Sequence, residues 1–301
     1  LAWLSRGARA RSTKPKFHVE AARELIAQEP PIRNSVELKR AAISRLGKKC
    51  IELTDVTFGF DGKAEPVLRD ITWLIGPGDR YGVLGENGAG KSTLMNVLYG
   101  FYRAEQGEIY LNGEKVDIKN PSVAIRHGIG MVHQHFMLVP SFTVAQNIVM
   151  SREPRRFGLF FDQRAAERET RRLVAEYGLT VDPNAVVAET GVGLQQRVEI
   201  LKTLYRGAEI LILDDNLSAL DFATDAALRK ALAGLEGETT TFLVSQRVAG
   251  IRQADKILVL DNGELAGSGT HDELMKSCEV YREIYFSQFP EDRAKYERGE
   301  M

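Results

Sequence analysis

Residues 85–93 carry the clearest chemical signal in the sequence. They read Gly-Glu-Asn-Gly-Ala-Gly-Lys-Ser-Thr, which fits the pattern G-x-x-x-x-G-K-[ST]. Glycines at this spacing let successive backbone N–H groups turn toward a phosphate, Lys91 bridges the β- and γ-phosphates, and Ser92 offers an oxygen to Mg²⁺. The sequence therefore predicts a loop that binds a nucleoside triphosphate with magnesium. The residues that we expect around the phosphates are Gly85, Glu86, Asn87, Gly88, Ala89, Gly90, Lys91, Ser92 and Thr93.

Asp214, in a different part of the sequence, is a candidate metal ligand. Residues 210–213 are all apolar and Asp214 follows them directly. A buried strand of this kind delivers its last carboxylate to the carboxyl edge of an open α/β sheet, where such sheets bind ligands. An Asp that closes a strand is often only a turn residue. Its pairing with an intact phosphate loop favours Asp214 as a carboxylate on the magnesium side.

The loop lies between a predicted strand and a predicted helix. Residues 51–58, 67–75 and 80–84 read as three short strands separated by Gly and Pro turns, and residues 94–98 begin a helical run. A phosphate loop requires this strand before it and this helix after it. The order of strand, loop, helix and further strands predicts an α/β domain.

Two Asn-Gly pairs and one capped helix complete the predicted elements. Asn112-Gly113 and Asn262-Gly263 each separate two β-forming runs, which predicts two antiparallel hairpins. Asp162 can cap a helix that runs to about Tyr177 and stops at Gly178. This segment is polar and rich in Arg, so we expect a small helical insertion rather than core.

Composition places the chain among globular proteins. Apolar residues make up 44% of the 301 residues and charged residues 27%, and no run of about 18 apolar residues could span a bilayer. The two cysteines, Cys50 and Cys278, lie far apart, which favours a reducing compartment over a disulfide framework or a structural zinc site. The chain begins at Leu1 without an apolar leader, so we expect a fragment or processed chain and no secretion signal.

The first fifty residues form a separate electrostatic unit. Residues 1–49 contain twelve Lys or Arg and four Glu, a net charge of +8, whereas the whole chain carries −1. We interpret residues 1–50 as a basic linker with one amphipathic helix over residues 17–28. Two interpretations stay open: a solvated tail, or attachment to RNA or another acidic surface.

With these motifs, residues 51–289 resemble the ATP-binding cassette (ABC) ATPases. Phe60 lies where this family stacks an aromatic ring on adenine, Gln134 matches the family's glutamine loop, and residues 218–221 (Ser-Ala-Leu-Asp) match its D-loop. The resemblance implies a P-loop NTPase of the ABC type in the α/β class. Its mixed sheet would carry an antiparallel β subdomain and a helical insertion at about residues 135–205.

The resemblance also implies how the family works. ABC domains hydrolyse ATP with Mg²⁺ in a head-to-tail dimer, in which a signature loop of one domain covers the nucleotide held by the other. Here the magnesium ligands would be Ser92, Gln134 and Asp214, and the catalytic residues would be Asp215, Gln246 and Gln134. Gly191 and Gly193 would contact the nucleotide of the opposite domain.

Three positions depart from the family pattern. The signature reads Thr-Gly-Val-Gly-Leu over residues 190–194, so Gly191 stands where the family has a serine hydroxyl. Asp215 replaces the usual Glu, the presumed general base, and Gln246 replaces the switch histidine. A lost hydrogen bond to a charged group costs about 1.5 to 3 kcal/mol, and a positioned base contributes about 100- to 10,000-fold to rate. We therefore expect Mg-ATP binding with slow hydrolysis.

Different segments of the chain resemble different subfamilies of ABC proteins. Residues 1–84 resemble the linker and second-domain start of soluble, ribosome-associated ABC-F proteins, residues 86–213 resemble sugar or nucleoside importers, and residues 214–289 resemble multidrug exporters. We interpret this mosaic as a recombinant or composed sequence, with both origins open. We divide the chain into the basic linker, the ABC domain at 51–289 and a charged tail at 290–301.

Two functions and a variant of either follow from the resemblance. In the first, ATP drives membrane transport through a transmembrane partner subunit, which residues 136–142 would touch, and the chain lies in the cytoplasm or at the inner face of the plasma membrane. The alternative is a soluble ABC-F-like ATPase whose basic linker binds ribosomal RNA or tRNA. In either setting the chain could be an ATP-binding subunit with little or no turnover.

Overall fold

The computed structural model describes residues 51–62, 65–133, 136–214 and 239–298. The basic linker at 1–50 and the D-loop at 218–221 lie outside these ranges. The strands are β1 Ile51–Phe58, β2 Leu68–Ile75, β3 Arg80–Leu84, β4 Gln106–Leu111, β5 Glu114–Lys115, β6 Ile129–Val132, β7 Arg155–Arg156, β8 Phe160–Phe161, β9 Ile210–Asp214, β10 Thr240–Ser245, β11 Lys256–Asp261 and β12 Glu264–Gly269. The helices are α1 Lys91–Tyr99, α2 Pro121–Arg126, α3 Val144–Val149, α4 Gln163–Tyr177, α5 Val192–Tyr205, α6 Val248–Ile251, α7 His271–Ser277, α8 Glu279–Gln288 and α9 Pro290–Glu297.

An antiparallel sheet has the strand order β2-β1-β4-β5. The predicted hairpin at Asn112-Gly113 is confirmed, because both residues take left-handed φ angles of 56° and 82° and β4 pairs with β5. Its second strand ends at Lys115, and Ile118 beyond the strand is buried. The hairpin at Asn262-Gly263 is also confirmed, and it joins β11 to β12.

The central six-stranded sheet has the order β12-β11-β3-β10-β9-β6. All neighbouring pairs in it are parallel except β11 with β12. Residues of β9 alternate between two apolar clusters: Leu211 and Leu213 join one, and Ile210 and Ile212 join the other. A parallel sheet covered on both faces explains the unbroken apolar run before Asp214.

The helical part packs against one face of this sheet. The predicted helix α4 is confirmed with its caps: Asp162 Oδ1 accepts the Ala165 N–H at 2.9 Å, and Gly178 ends the helix at φ 68°. Helix α4 buries few residues, as its polar sequence predicts. The neighbouring helices α3 and α5 are more apolar in their packing. They contribute Ile148 and Leu201 to the same apolar cluster as residues of the sheet. The insertion therefore shares a core with the sheet.

Residues 290–297 form the helix α9, although the sequence suggests only a charged tail there. The Tyr296 hydroxyl donates to the Met275 carbonyl at 3.0 Å, and its ring lies 5.4 Å from that of Phe286. One hydrogen bond and one ring contact, both from Tyr296, thus hold α9, whose other residues are mostly polar. No helix within the described ranges is long and apolar enough to cross a membrane.

Candidate nucleotide-binding site

The predicted phosphate loop is a tight turn between β3 and α1. Gly88 and Gly90 take φ angles of 88° and 96°, and Gly90 is the N-cap of α1. A Cβ at Gly90 would lie 2.8 Å from a Leu68 methyl, and one at Gly85 would lie 2.5 Å from the Leu260 carbonyl oxygen. Glycine is therefore required at both positions, and the loop can present backbone N–H groups at a helix N-terminus.

Lys91 lies inside this loop. Its side chain is buried, and its Nζ donates to the carbonyl oxygens of Gly85 and Glu86, each at 2.7 Å. These two hydrogen bonds hold the ammonium group inside the turn, beside the backbone N–H groups of the loop. The loop therefore concentrates positive potential where a phosphate would contact it.

Ser92 and Asp214 meet beside the loop as the sequence predicts. The Ser92 Oγ donates to Asp214 Oδ1 at 3.0 Å, across 122 residues of sequence. The strand register explains this, because Val244 of β10 pairs with Val83 on one side and with Asp214 on the other. β3 and β9 therefore end at the same edge of the sheet.

These two oxygen ligands fit Mg²⁺. Magnesium prefers hard oxygen donors and usually takes only one or two from the protein, with water and substrate phosphates supplying the rest. Among the described residues, no group of three or more His, Cys, Asp or Glu side chains could form an all-protein metal site. A hydroxyl and a carboxylate next to a phosphate loop match this mode of binding.

Gln246 also lies at this edge. It follows β10, and its Nε2 donates to Asn87 Oδ1 at 2.7 Å. Gln288, at the end of α8, supports this position: its Nε2 donates to the Gln246 carbonyl at 2.7 Å, and its Oε1 accepts the Val248 N–H at 2.9 Å. Sequence reasoning missed Gln288, since a lone polar residue at a helix end gives no local signal.

Phe60 lies in a small aromatic cluster after β1. Its ring meets those of Phe58 and Tyr102 edge-on, at centroid distances of 5.1 and 5.3 Å, and 37% of the residue is exposed. Phe58 and Tyr102 stack at 5.0 Å behind it. The cluster fixes the Phe60 ring and leaves part of it open to a ligand. Tyr102 was not singled out from the sequence.

Gly191 and Gly193 lie at the start of α5. Gly191 is the N-cap with φ −71° and ψ 159°, and no side chain caps this helix. A Cβ added at Gly191 would meet no atom within 4 Å. Among the described residues, therefore, none packs against the Cβ position of Gly191 and no side chain caps the helix N-terminus.

The remaining predicted residues lie at or beyond the edge of the described ranges. Gln134 and Asp215 are outside them. His133 is within them and directly follows β6, which ends at Val132. Its ring packs 5.8 Å from Tyr99 and 5.4 Å from Phe101. Burial lowers the pKa of His133 below its usual range.

A buried ion pair supports the segment after Gln134, and sequence reasoning missed it. Lys202 and Glu199 on α5 are both buried, with Nζ 3.3 Å from Oε1. The same Nζ donates to the Met137 carbonyl at 2.7 Å. Burial lowers the pKa of Lys202, although Glu199 acts to raise it. The pair lines a cavity of about 140 Å³ together with His133 and Arg206.

Comparison with known proteins agrees with this geometry. Residues 68–218 match the sequence profile of a family described as "ABC transporter". The chain belongs to the ABC transporter family. The fold is therefore that of the ABC P-loop ATPases, as predicted. An Atm1-family bacterial ABC exporter with ATP bound has a similar structure, with a TM-score of 0.66 and 25% identity over 80% of this chain and 42% of that one.

Several curated relatives are import ATP-binding proteins by name. The guanosine import ATP-binding protein NupO of Bacillus subtilis is 42% identical over 248 residues, which cover 78% of this chain and 47% of the relative. The ribose import ATP-binding protein RbsA 1 of Rubrobacter xylanophilus is 38% identical over 257 residues, covering 83% and 50%. The chain spans about half the length of the curated relatives it matches. These matches extend beyond residues 86–213, so importer similarity is wider than the predicted mosaic segment.

Proposed function

We propose that this chain binds Mg-ATP at the edge formed by β3, β10 and β9. The observation that carries this proposal is the 3.0 Å contact between Ser92 and Asp214 directly beside the buried Lys91. Residues 85–93 would surround the phosphates, and Phe60 would contact the adenine. Ser92, Gln134 and Asp214 would hold magnesium, which neutralises developing charge on the phosphates when bound.

Hydrolysis of this ATP is slow in our proposal. Asp215 is the base, one methylene shorter than Glu, and Gln246 contacts the γ-phosphate without a charge. Gln246 already hydrogen-bonds Asn87 in the loop, which supports its place in this site. Gly191 offers only its backbone N–H to the nucleotide of a second ABC domain.

The released energy would drive import through a transmembrane partner subunit. NupO and RbsA 1 are import ATP-binding proteins by name, and their similarity to this chain supports the same class of role. The working unit would be a head-to-tail dimer of ABC domains at the inner face of the membrane. Residues 136–142 would contact the partner, on a segment that the Lys202 ammonium fixes at Met137.

The ribosome-associated function stays a second candidate because of one observation. Residues 1–49 carry a net charge of +8. Phosphate contacts weaken steeply between low and physiological salt. Co-sedimentation with ribosomes that falls steeply with salt would favour this function, and its absence would leave the importer role.

The test of ATP binding uses equilibrium affinity with and without magnesium. We expect Lys91→Met to weaken ATP binding at least about tenfold, because a charged contact to phosphate is lost. Ser92→Ala and Asp214→Asn should remove only the part of the affinity that depends on magnesium. Lys119→Met, which removes an exposed ammonium elsewhere, is the matched control. Equal affinity of wild type and Lys91→Met would reject this site.

A further inference from the structure

A short hairpin in the helical part presents large apolar side chains to solvent. β7 and β8 pair Arg155 with Phe161 and Arg156 with Phe160. The exposed fractions are 82% for Phe157, 81% for Leu159, 68% for Phe160 and 41% for Phe161. None of these residues belongs to either apolar cluster of the described core. Exposed apolar side chains grouped in this way mark a contact surface.

The backbone holds this apolar tip outward. Phe157 has a φ of 54° and Gly158 a φ of 74°, both in the left-handed region. A bulky residue such as Phe is rarely found there and pays a conformational cost. The turn therefore keeps a strained aromatic residue at its most exposed point, where it contributes nothing to the described core.

Arginines accompany the aromatic rings on both faces of the hairpin. The Arg156 guanidinium lies 5.2 Å from the centroid of the Phe157 ring. Residues directly opposite on antiparallel strands share a face, so Arg155 lies beside Phe161 and Arg156 beside Phe160. Each face thus combines a ring with a guanidinium.

The two acidic residues nearest to the hairpin in sequence accept hydrogen bonds from local backbone N–H groups. Glu153 Oε1 accepts the Ser151 N–H at 2.8 Å, and Asp162 Oδ1 accepts the Ala165 N–H at 2.9 Å as the cap of α4. Residues 154–161 contain no acidic residue. Residues 155–161 therefore carry two arginines and no carboxylate of their own, and Glu153 and Asp162 flank them in sequence.

We propose that this hairpin, residues 155–161, enters the surface of an anionic lipid bilayer. Its apolar tip would lie at the boundary between headgroups and acyl chains, and Arg155 and Arg156 would bind the anionic headgroups. A specific protein interface takes about 20 to 30 residues a side, and seven residues at a convex tip fall well short of this. A soft interface accepts such a tip without a complementary groove. The contact goes beyond the proposed ATP-driven function and needs neither nucleotide nor a partner subunit.

Depth-dependent quenching tests the position of the tip. Phe157→Trp is mixed with phosphatidylcholine vesicles that contain about 30% phosphatidylglycerol, with and without brominated acyl chains. We expect its fluorescence to shift to the blue and to be quenched, beyond the signal that Trp3 and Trp73 give in the wild type. Phe101→Trp, at another exposed phenylalanine, is the matched control and should not be quenched. Absence of quenching at position 157 would overturn the proposal.

Co-sedimentation of the full chain with the same vesicles tests how much the phenylalanines and the arginines of the hairpin each contribute to lipid binding. Phe157→Ser combined with Phe160→Ser should weaken binding about tenfold or more. Arg155→Gln and Arg156→Gln should weaken it about fivefold each. Phe101→Ser, and Arg103→Gln combined with Arg293→Gln, remove the same groups from exposed positions elsewhere and should have little effect. Circular dichroism confirms that each variant is folded.

Other outcomes would reject the hairpin as the lipid contact. Binding that is unchanged in the Phe157→Ser, Phe160→Ser variant would assign it to the basic residues 1–49. Self-association of the chain that disappears in this variant would assign the tip to a second copy. Lys91→Met should bind vesicles like the wild type, so failure of this proposal and failure of the ATP site are distinguishable.

Discussion

Gly191 shows how a single missing hydroxyl can be restored without strain. Its backbone is extended, and a Cβ there meets no atom within 4 Å in the part of the chain that the structure describes, so serine fits. We expect Asp215→Glu alone to recover little ATP turnover and the combination with Gly191→Ser to exceed it by about tenfold or more, because the signature contact returns. Steady-state ATPase assays measure this. High turnover in the unaltered protein would contradict the prediction.

The buried pair of Lys202 and Glu199 predicts a large stability effect. Lys202→Met leaves Glu199 buried without its partner and frees the Met137 carbonyl, so we expect a loss of about 3 to 5 kcal/mol in the free energy of unfolding. Lys295→Met, in a partly exposed pair with Asp292, should cost less than about 1 kcal/mol. Urea unfolding compares the two. Similar losses would mean that the buried pair contributes no more than a surface one.

His271 predicts a pH dependence of stability. Its Nδ1 lies 2.7 Å from the Tyr281 hydroxyl, and burial lowers the pKa of His271 below 6.5, with Arg252 acting in the same direction. The unfolded chain therefore binds more protons between the two pKa values, and stability is lost as the pH falls below about 6.5. His271→Gln should flatten the change in unfolding free energy between about pH 5 and about pH 7.5. An unchanged slope would contradict this.

At the scale of elements, the turn at Asn262-Gly263 braces the phosphate loop. Gly263 N–H donates to the Ala89 carbonyl at 3.2 Å, and its carbonyl accepts the Arg69 N–H at 2.8 Å. A Cβ at Gly263 would lie 2.1 Å from the Val67 carbonyl oxygen. This hairpin therefore connects β2, the loop and β11.

Two glycines in equivalent turns give a matched test of this brace. Gly263 and Gly113 share a φ of 82°, but a Cβ at Gly113 meets nothing within 4 Å. Gly113→Ala should cost only about 1 kcal/mol for the left-handed backbone. Gly263→Ala should cost clearly more and should also weaken ATP binding. Thermal unfolding and ATP affinity measure both, and equal effects would argue against the brace.

The sequence predicts the elements whose signals are local. The loop at 85–93, the two Asn-Gly turns and the caps at Asp162 and Gly178 each depend on a few consecutive residues, and the structure has all of them. The contacts of Lys202 with Met137 and of Gln288 with Gln246 span 65 and 42 residues, so no local pattern announces them. Helix α9 was missed because its stability comes from Tyr296 packing rather than from its own polar sequence.

At the scale of the whole molecule, assembly should control turnover. In the proposed head-to-tail dimer each ATP site would include the start of α5 from a second domain, so activity per mole should rise with protein concentration. ATPase rate measured against concentration tests this. Lys91→Met keeps the start of α5, so adding it to dilute wild type should raise the activity per wild-type chain. A strictly proportional rate would mean that single domains turn over ATP.

The strand order of the central sheet also governs when the ATP site can form during synthesis. β3 leads into the phosphate loop, yet both of its neighbours, β10 and β11, lie more than 150 residues later in the chain. Pairing over such separations is slow, and chains fold as they emerge from their N-terminus. A nascent chain that ends before Thr240 therefore holds the loop on a strand without either neighbour. Messenger truncation or ribosome stalling before Thr240 would yield a chain that contains all of residues 85–93. This chain would lack β10 and β11, the two strands that flank β3.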